Sequence, residues 1–216
     1  MIRQIVTGVQ VVTLLLCIGT VQGACRGGPA DDGAVLHARY DVYDQTRRYR
    51  VDFYRGVDQV AWRQGAVISV WSDHGGAISL LRAFPQFQRS LWYPAADLAA
   101  LDQAREWSAV AGWPAPVSLG YSVLEPEAGI VQGCPVTEYG RGDSRVLWVD
   151  AAGVPARIVE AGRVWQLVGL ERVPQADTFV RWQRWPSTDF ADVGDSEADP
   201  FLRRMIAQGF MGQDAR

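Results

Sequence analysis

The chain has 216 residues, 48% of them hydrophobic and 21% charged, a balance that fits one folded domain with a real core rather than a disordered chain. Its net charge is −3, so nothing favours a nucleic-acid partner, which calls for a basic patch. It contains no lysine, which removes every Schiff-base and lysine-nucleophile mechanism.

Residues 1–24 read as an export signal. Arg3 supplies a positive start, Ile5 to Thr20 an apolar run, and Val21 to Ala24 the small residues at which a signal peptidase cuts. The run carries Gln10 and is shorter than the roughly 20 apolar residues a spanning helix needs. The expected location is therefore the periplasm, away from ATP and reducing thiols. Two processings fit the boundary. A cut after Gly23 releases a soluble protein. Gly23-Ala24-Cys25 also resembles the end of a bacterial lipobox, although Gln22 stands where that motif has leucine, and there Cys25 would become a lipid anchor at the periplasmic face of a membrane. Cys17 leaves with the signal; Cys25 and Cys134 remain as a disulfide candidate, a bridge that lipidation of Cys25 would forbid.

Beyond the signal the dominant period is two. Leu36, Ala38, Tyr40 and Val42 share one strand face, and Tyr49, Val51 and Phe53 do so after the polar turn Asp44-Gln45-Thr46. Strands follow at Gln59–Arg63, Val67–Trp71, Ile78–Phe84 and Ser90–Tyr93, the spacing of an antiparallel meander. Pro94 opens a predicted helix over Ala95–Ala111, with Leu98, Leu101, Ala104, Ser108 and Ala111 on one stripe and Gly112-Trp113-Pro114 as its stop. A second group of strands is predicted at Val117–Leu124, Val136–Tyr139, Arg145–Val149, Ala156–Glu160 and Val164–Arg172. With no repeat and no long linker, the two groups read as one curved antiparallel sheet or unclosed barrel with a helix across it.

Several of these strands are apolar on both faces. Val67, Ile68, Val70 and Trp71 leave little polar side, and neither do Val146, Leu147, Trp148 and Val149. Such a strand implies either cover on both sides or a binding concavity. Nine tryptophans add weight to the second reading, because Trp joins a large apolar area to one N–H and suits amphipathic ligands.

The passage Ser90-Leu91-Trp92-Tyr93-Pro94-Ala95-Ala96-Asp97-Leu98 and the later hairpin Arg145 to Ile158, with its Trp-rich strand ending in Asp150 and its turn into Pro155-Ala156-Arg157, resemble the periplasmic carriers and sensors of the LolA and LolB fold, RseB-like sensors included. The resemblance covers Leu36 to Val180 as a pattern. It implies a mainly β (α+β) half-barrel with a helical lid, whose apolar concave face holds a lipid or lipoprotein acyl chain without catalysis and without a cofactor. Carriers of this group begin with a long amphipathic helix, whereas Arg26 to Val35 is short and turn-like, so one part of the lid is missing. The domains expected are a signal at 1–24, the half-barrel at 25–188 and an acidic tail with a C-terminal helix at 189–216.

Enzyme readings need residues the chain barely has. His37 and His74 are its two histidines, and no Gly-x-Ser-x-Gly elbow accompanies them. Neither they nor the cysteines have metal-site spacing. Asp189, Asp192, Asp195, Glu197 and Asp199 crowd the tail without an EF-hand pattern; Asp199 before Pro200 reads as a cap for a helix over Pro200–Gln208 with an apolar stripe of Phe201, Leu202, Met205 and Ile206. Arg141-Gly142-Asp143 is ordinary turn chemistry. The ligand-binding candidates are therefore Trp71, Leu81, Phe84, Trp92, Trp148 and Trp165. The competing expectation is an accessory or assembly factor that meets a periplasmic or membrane-protein partner through the Trp-rich face and the acidic tail.

Overall fold

A computed structural model of the chain describes Cys25 and residues 33–160, 162–196 and 198–208. The signal segment, the lipobox residues before Cys25, Glu197 and residues 209–216 lie outside the described residues. The fold is mainly β: one curved, unclosed sheet of 12 strands. In chain order these are β1 (Ala34–Asp44), β2 (Arg47–Arg55), β3 (Gln59–Gln64), β4 (Val67–Asp73), β5 (Ile78–Phe84), β6 (Arg89–Tyr93), β7 (Ser122–Val131), β8 (Cys134–Arg141), β9 (Ser144–Val149), β10 (Val154–Glu160), β11 (Arg163–Pro174) and β12 (Ser187–Asp189). Across the sheet they run β12-β6-β5-β4-β3-β2-β1-β11-β10-β9-β8-β7, so two meanders are joined where β1 meets β11. Every pairing is antiparallel except that of β12 with β6. Bulges at Arg39/Tyr40 and at Pro155/Arg157 bend the strands around the join.

Strands that alternate in sequence fold as their period dictates. Leu36, Ala38, Tyr40, Val42, Val51 and Phe53 all enter the main core, while His37, Asp41 and Asp52 take the opposite face. Arg141-Gly142-Asp143 forms the turn between β8 and β9, with Gly142 at φ 56°. The tail is not a unit apart: β12 pairs with β6, and Val193, Phe201, Leu202 and Met205 are buried in the main core.

The long helix expected over Ala95–Ala111 is replaced by two short ones, α1 (Ala95–Ala100) and α2 (Trp107–Val110). Asp102 adopts φ 57°, and the Gln103 N–H donates to Leu98 O at 2.7 Å, which ends α1 as a left-handed C-terminal cap. Aspartate tolerates that conformation better than most residues. The apolar stripe of this stretch is thus spent on two separate contacts with the sheet. Val117–Leu124 also departs from expectation: Pro116–Leu119 is a short 3-10 turn, and the strand begins at Ser122 and continues to Val131.

The two-sided apolar strands have cover on both sides. One face packs beneath the segment from α1 through α2 and beneath α5 (Pro200–Ala207). On the other, α3 (Gln175–Thr178) and α4 (Val180–Gln183) lay Phe179 and Trp182 over Tyr54, Ala61, Ile68, Val70 and Ala83. Asp199 Oδ1 accepts the Phe201 N–H at 2.8 Å and caps α5, and Arg89 reaches Asp199 Oδ2 at 3.1 Å. That backbone hydrogen bond, then Arg89, holds the Asp199 carboxyl below the usual carboxylate range. Cys25 and Cys134 are joined by a disulfide that ties the start of the described chain to β8. Among the described residues no helix is long and apolar enough to cross a membrane.

Candidate functional site

A cavity of about 470 Å³ opens between the end of β2, the segment through α2 to Trp113, and the β9–β10 turn. Its apolar wall is Val57, Trp107, Ala111 and Trp113; its polar wall is Arg55, Asp150 and the backbone of Ala152 and Gly153.

Trp113 is fixed by aromatic packing. Its ring centroid lies 5.1 Å from Tyr40, 5.1 Å from Phe53, 4.9 Å from Trp62 and 6.1 Å from Trp165. Tilted and edge-on contacts of this kind suit the quadrupoles of the rings. The Trp62 Nε1–H adds a long bond to Val110 O at 3.4 Å, so α2 is held to β3. Beneath the box the fully buried Tyr40 hydroxyl donates to Pro155 O at 2.9 Å. Burial pushes that phenol well above its ordinary pKa.

Arg55 Nη1 donates to Gly153 O at 3.1 Å and Nη2 donates to Ala152 O, which fixes the β9–β10 turn. Burial pulls the guanidinium below its ordinary value, and Arg172 pulls the same way. Gly112 has a backbone φ of 144°, a conformation that favours glycine.

Across the cavity, the Tyr139 hydroxyl donates to Asp150 Oδ1 at 2.7 Å. That bond first, then burial, pushes the phenol up to about 12. A pKa raised on folding stabilises fully below the unfolded value of 10.0 and loses its contribution as pH rises through about 12. In ultraviolet titration, the difference between wild type and Tyr139→Phe should therefore centre near 12, and in an Asp150→Asn background it should fall toward 10. A wild-type difference already centred near 10 would show that Asp150 does not hold the proton on Tyr139.

The six sequence candidates do not converge on this cavity. Trp71, Phe84 and Trp148 are core, at 4%, 1% and 5% exposure. Leu81 and Trp92 pair with each other across β5 and β6 on the side away from Leu80 and Tyr93; Leu81 packs toward the α3–α4 layer, and Trp92 is 39% exposed. Trp165 and Trp148 come nearest: the first touches Trp113, and the second belongs to a cluster with Tyr139 and Val146 against which Trp113 packs. Sequence reasoning passed over Arg55, Trp107 and Trp113. The available signal was Arg55 itself, which follows Tyr49, Val51 and Phe53 at the same parity, where the core face wants an apolar residue.

His37 sits between two carboxylates. Its Nδ1 lies 3.0 Å from Glu171 and its Nε2 3.0 Å from Asp52, and its ring stacks on Tyr54 at 4.2 Å. Both nitrogens are therefore spent on carboxylates. The bond to His37 holds the Asp52 carboxyl below its usual range. Among the described residues no group of three or more His, Cys, Asp or Glu side chains could hold a metal ion.

Neither a protein-family profile nor a curated protein matches the sequence. Among solved structures the chain is similar to a structure of PNGF-II, with a TM-score of 0.44 and 8% identity over 72% of this chain and 31% of that one. The chain thus spans about a third of that protein's length. A likeness this distant bears on neither family nor function.

Proposed function

We propose that this chain is an exported, non-catalytic binding protein of the LolA and LolB type, in which the curved sheet acts as a half-barrel and the segment from α1 to Trp113 acts as its lid. The cavity beside Trp113 shelters a lipid, a lipoprotein acyl chain or another apolar group. The observation that carries this reading is the cavity itself: about 470 Å³, within the range of ligand sites, with two tryptophans on its apolar wall. Transfer of a chain from water to such a wall is worth about 0.8 kcal/mol per methylene. A chain of a dozen or more carbons gains on the order of 10 kcal/mol before ordering costs.

Export is supported by the signal-like residues 1–24 and by the disulfide, which persists in an oxidising compartment. Native mass spectrometry of protein purified from the periplasm should show co-purified acyl mass. A clean apo mass accompanied by a bound protein would overturn this reading in favour of an assembly factor.

A further inference from the structure

Arg55 is a cation built into an apolar face. Phe53 and Val51 precede it on that face and lie in the main core. Its guanidinium is anchored by backbone carbonyls of Ala152 and Gly153 and stands 6.0 Å from the Phe53 ring. Burial first, and then a second cation, Arg172, pulls the guanidinium below its ordinary value. The strand register explains the second cation: Leu36 pairs with Arg55 on one side and with Arg172 on the other, so two guanidinium groups flank one leucine across three neighbouring strands.

Burying a cation is costly unless it is paired. The two carbonyl bonds offset part of that cost and leave N–H donors over. The wall beside those donors is bare backbone. Gly112 and Gly153 line that wall, each within ordinary contact reach of the guanidinium nitrogens. Asp150 lines the same cavity, and one of its oxygens accepts the Tyr139 O–H. One end of the cavity thus sets the Arg55 guanidinium, with N–H donors to spare, beside the Asp150 carboxylate, and the other is aromatic.

We propose that Arg55 binds the anionic head of an amphiphile, a carboxylate or a phosphate, whose apolar chain lies along Trp107 and Trp113. This rests on the cavity reading above and narrows its ligand class from apolar groups in general to single-chain anionic amphiphiles. Charge-assisted hydrogen bonds from a guanidinium to such a head are shorter and stronger than neutral ones, enough for about tenfold in affinity.

The test is calorimetric titration of the full processed chain, disulfide intact, with dodecanoate, dodecyl phosphate and the uncharged glyceryl ester of dodecanoate, alongside acetate and inorganic phosphate as chainless anions. Wild type should bind both charged chains about tenfold more tightly than the ester. Arg55→Gln should erase that preference, read as the ratio of charged-chain to ester affinity within the same variant, and Arg55→Lys should keep most of it. Because Arg55→Gln also frees the β9–β10 turn, its thermal melt is recorded, and if it unfolds the wild-type and Arg55→Lys preferences decide. Equal binding of charged and uncharged chains by wild type would overturn this inference and leave the cavity reading standing. Binding of none of the chains would overturn the cavity reading. Inorganic phosphate binding as tightly as dodecyl phosphate would overturn the amphiphile in favour of a free anion.

Discussion

If the cavity holds an acyl ligand as proposed, Trp113→Ala is expected to release it, and the same change is expected to lower stability by about 2–4 kcal/mol. The figure is set below that of a fully buried tryptophan because Trp113 is half-buried. Its indole holds the segment from α1 to Trp113 to the sheet, meeting Tyr40, Phe53, Trp62 and Trp165 at centroid distances of 4.9–6.1 Å. Without it, the 3.4 Å bond from Trp62 to Val110 is a poor substitute. Trp92→Ala is the matched comparison. That side chain is 39% exposed and lies across from Leu81, away from the cavity, so its loss should cost less than about 1 kcal/mol and leave the ligand in place. Urea unfolding and native mass spectra of both variants read the two effects together. A Trp113→Ala protein that keeps both a co-purified ligand and its wild-type midpoint would remove Trp113 from the proposed site.

Opening the Cys25–Cys134 bridge is the second large effect. The cysteines are 109 residues apart in sequence, and a cross-link closing a loop of that size restricts the unfolded chain by about 4–5 kcal/mol in the chain-entropy account. The paired variant Cys25→Ala/Cys134→Ala should therefore melt about 10 °C or more below wild type, given about 2–4 °C per kcal/mol for a domain of this size. Cys134 is fully buried but Cys25 is only half-buried, so reductant should reach the bridge through the Cys25 sulfur without global unfolding. Scanning calorimetry with and without reductant checks both statements. An unchanged melting temperature in the paired variant would mean that the bridge adds nothing to the folded state.

The β1–β6 meander and the hairpins from β8 to β11 were legible because their buried faces impose a strict period of two, as in Tyr49-Arg50-Val51-Asp52-Phe53. What escaped notice has little period to show. The extension of β7 through Glu125-Pro126-Glu127-Ala128-Gly129 is a sheet rim with interrupted register, where proline is tolerated. The strand β12 has three residues and exists because β6 offers it a partner. The helices α3 and α4 are one turn each, and packing of Phe179 and Trp182 on the outer face fixes them where propensity alone would not. The candidate site was hidden for a related reason. Hydrophobicity pointed to the most apolar strands, and those are apolar because the protein covers them itself. The cavity lies instead where the apolar pattern fails, at Arg55 and at the Gly112-Trp113 break.

An open sheet this wide has two rims, and each is spoiled as a template for its neighbours. One ends in the three-residue β12; the other, β7, is interrupted twice in register and carries Pro126 between two glutamates. Neither offers a long flat row of vacant amides and carbonyls, the feature on which strange chains stack into fibres. The molecule can leave its hollow unsealed without inviting polymerisation along its borders.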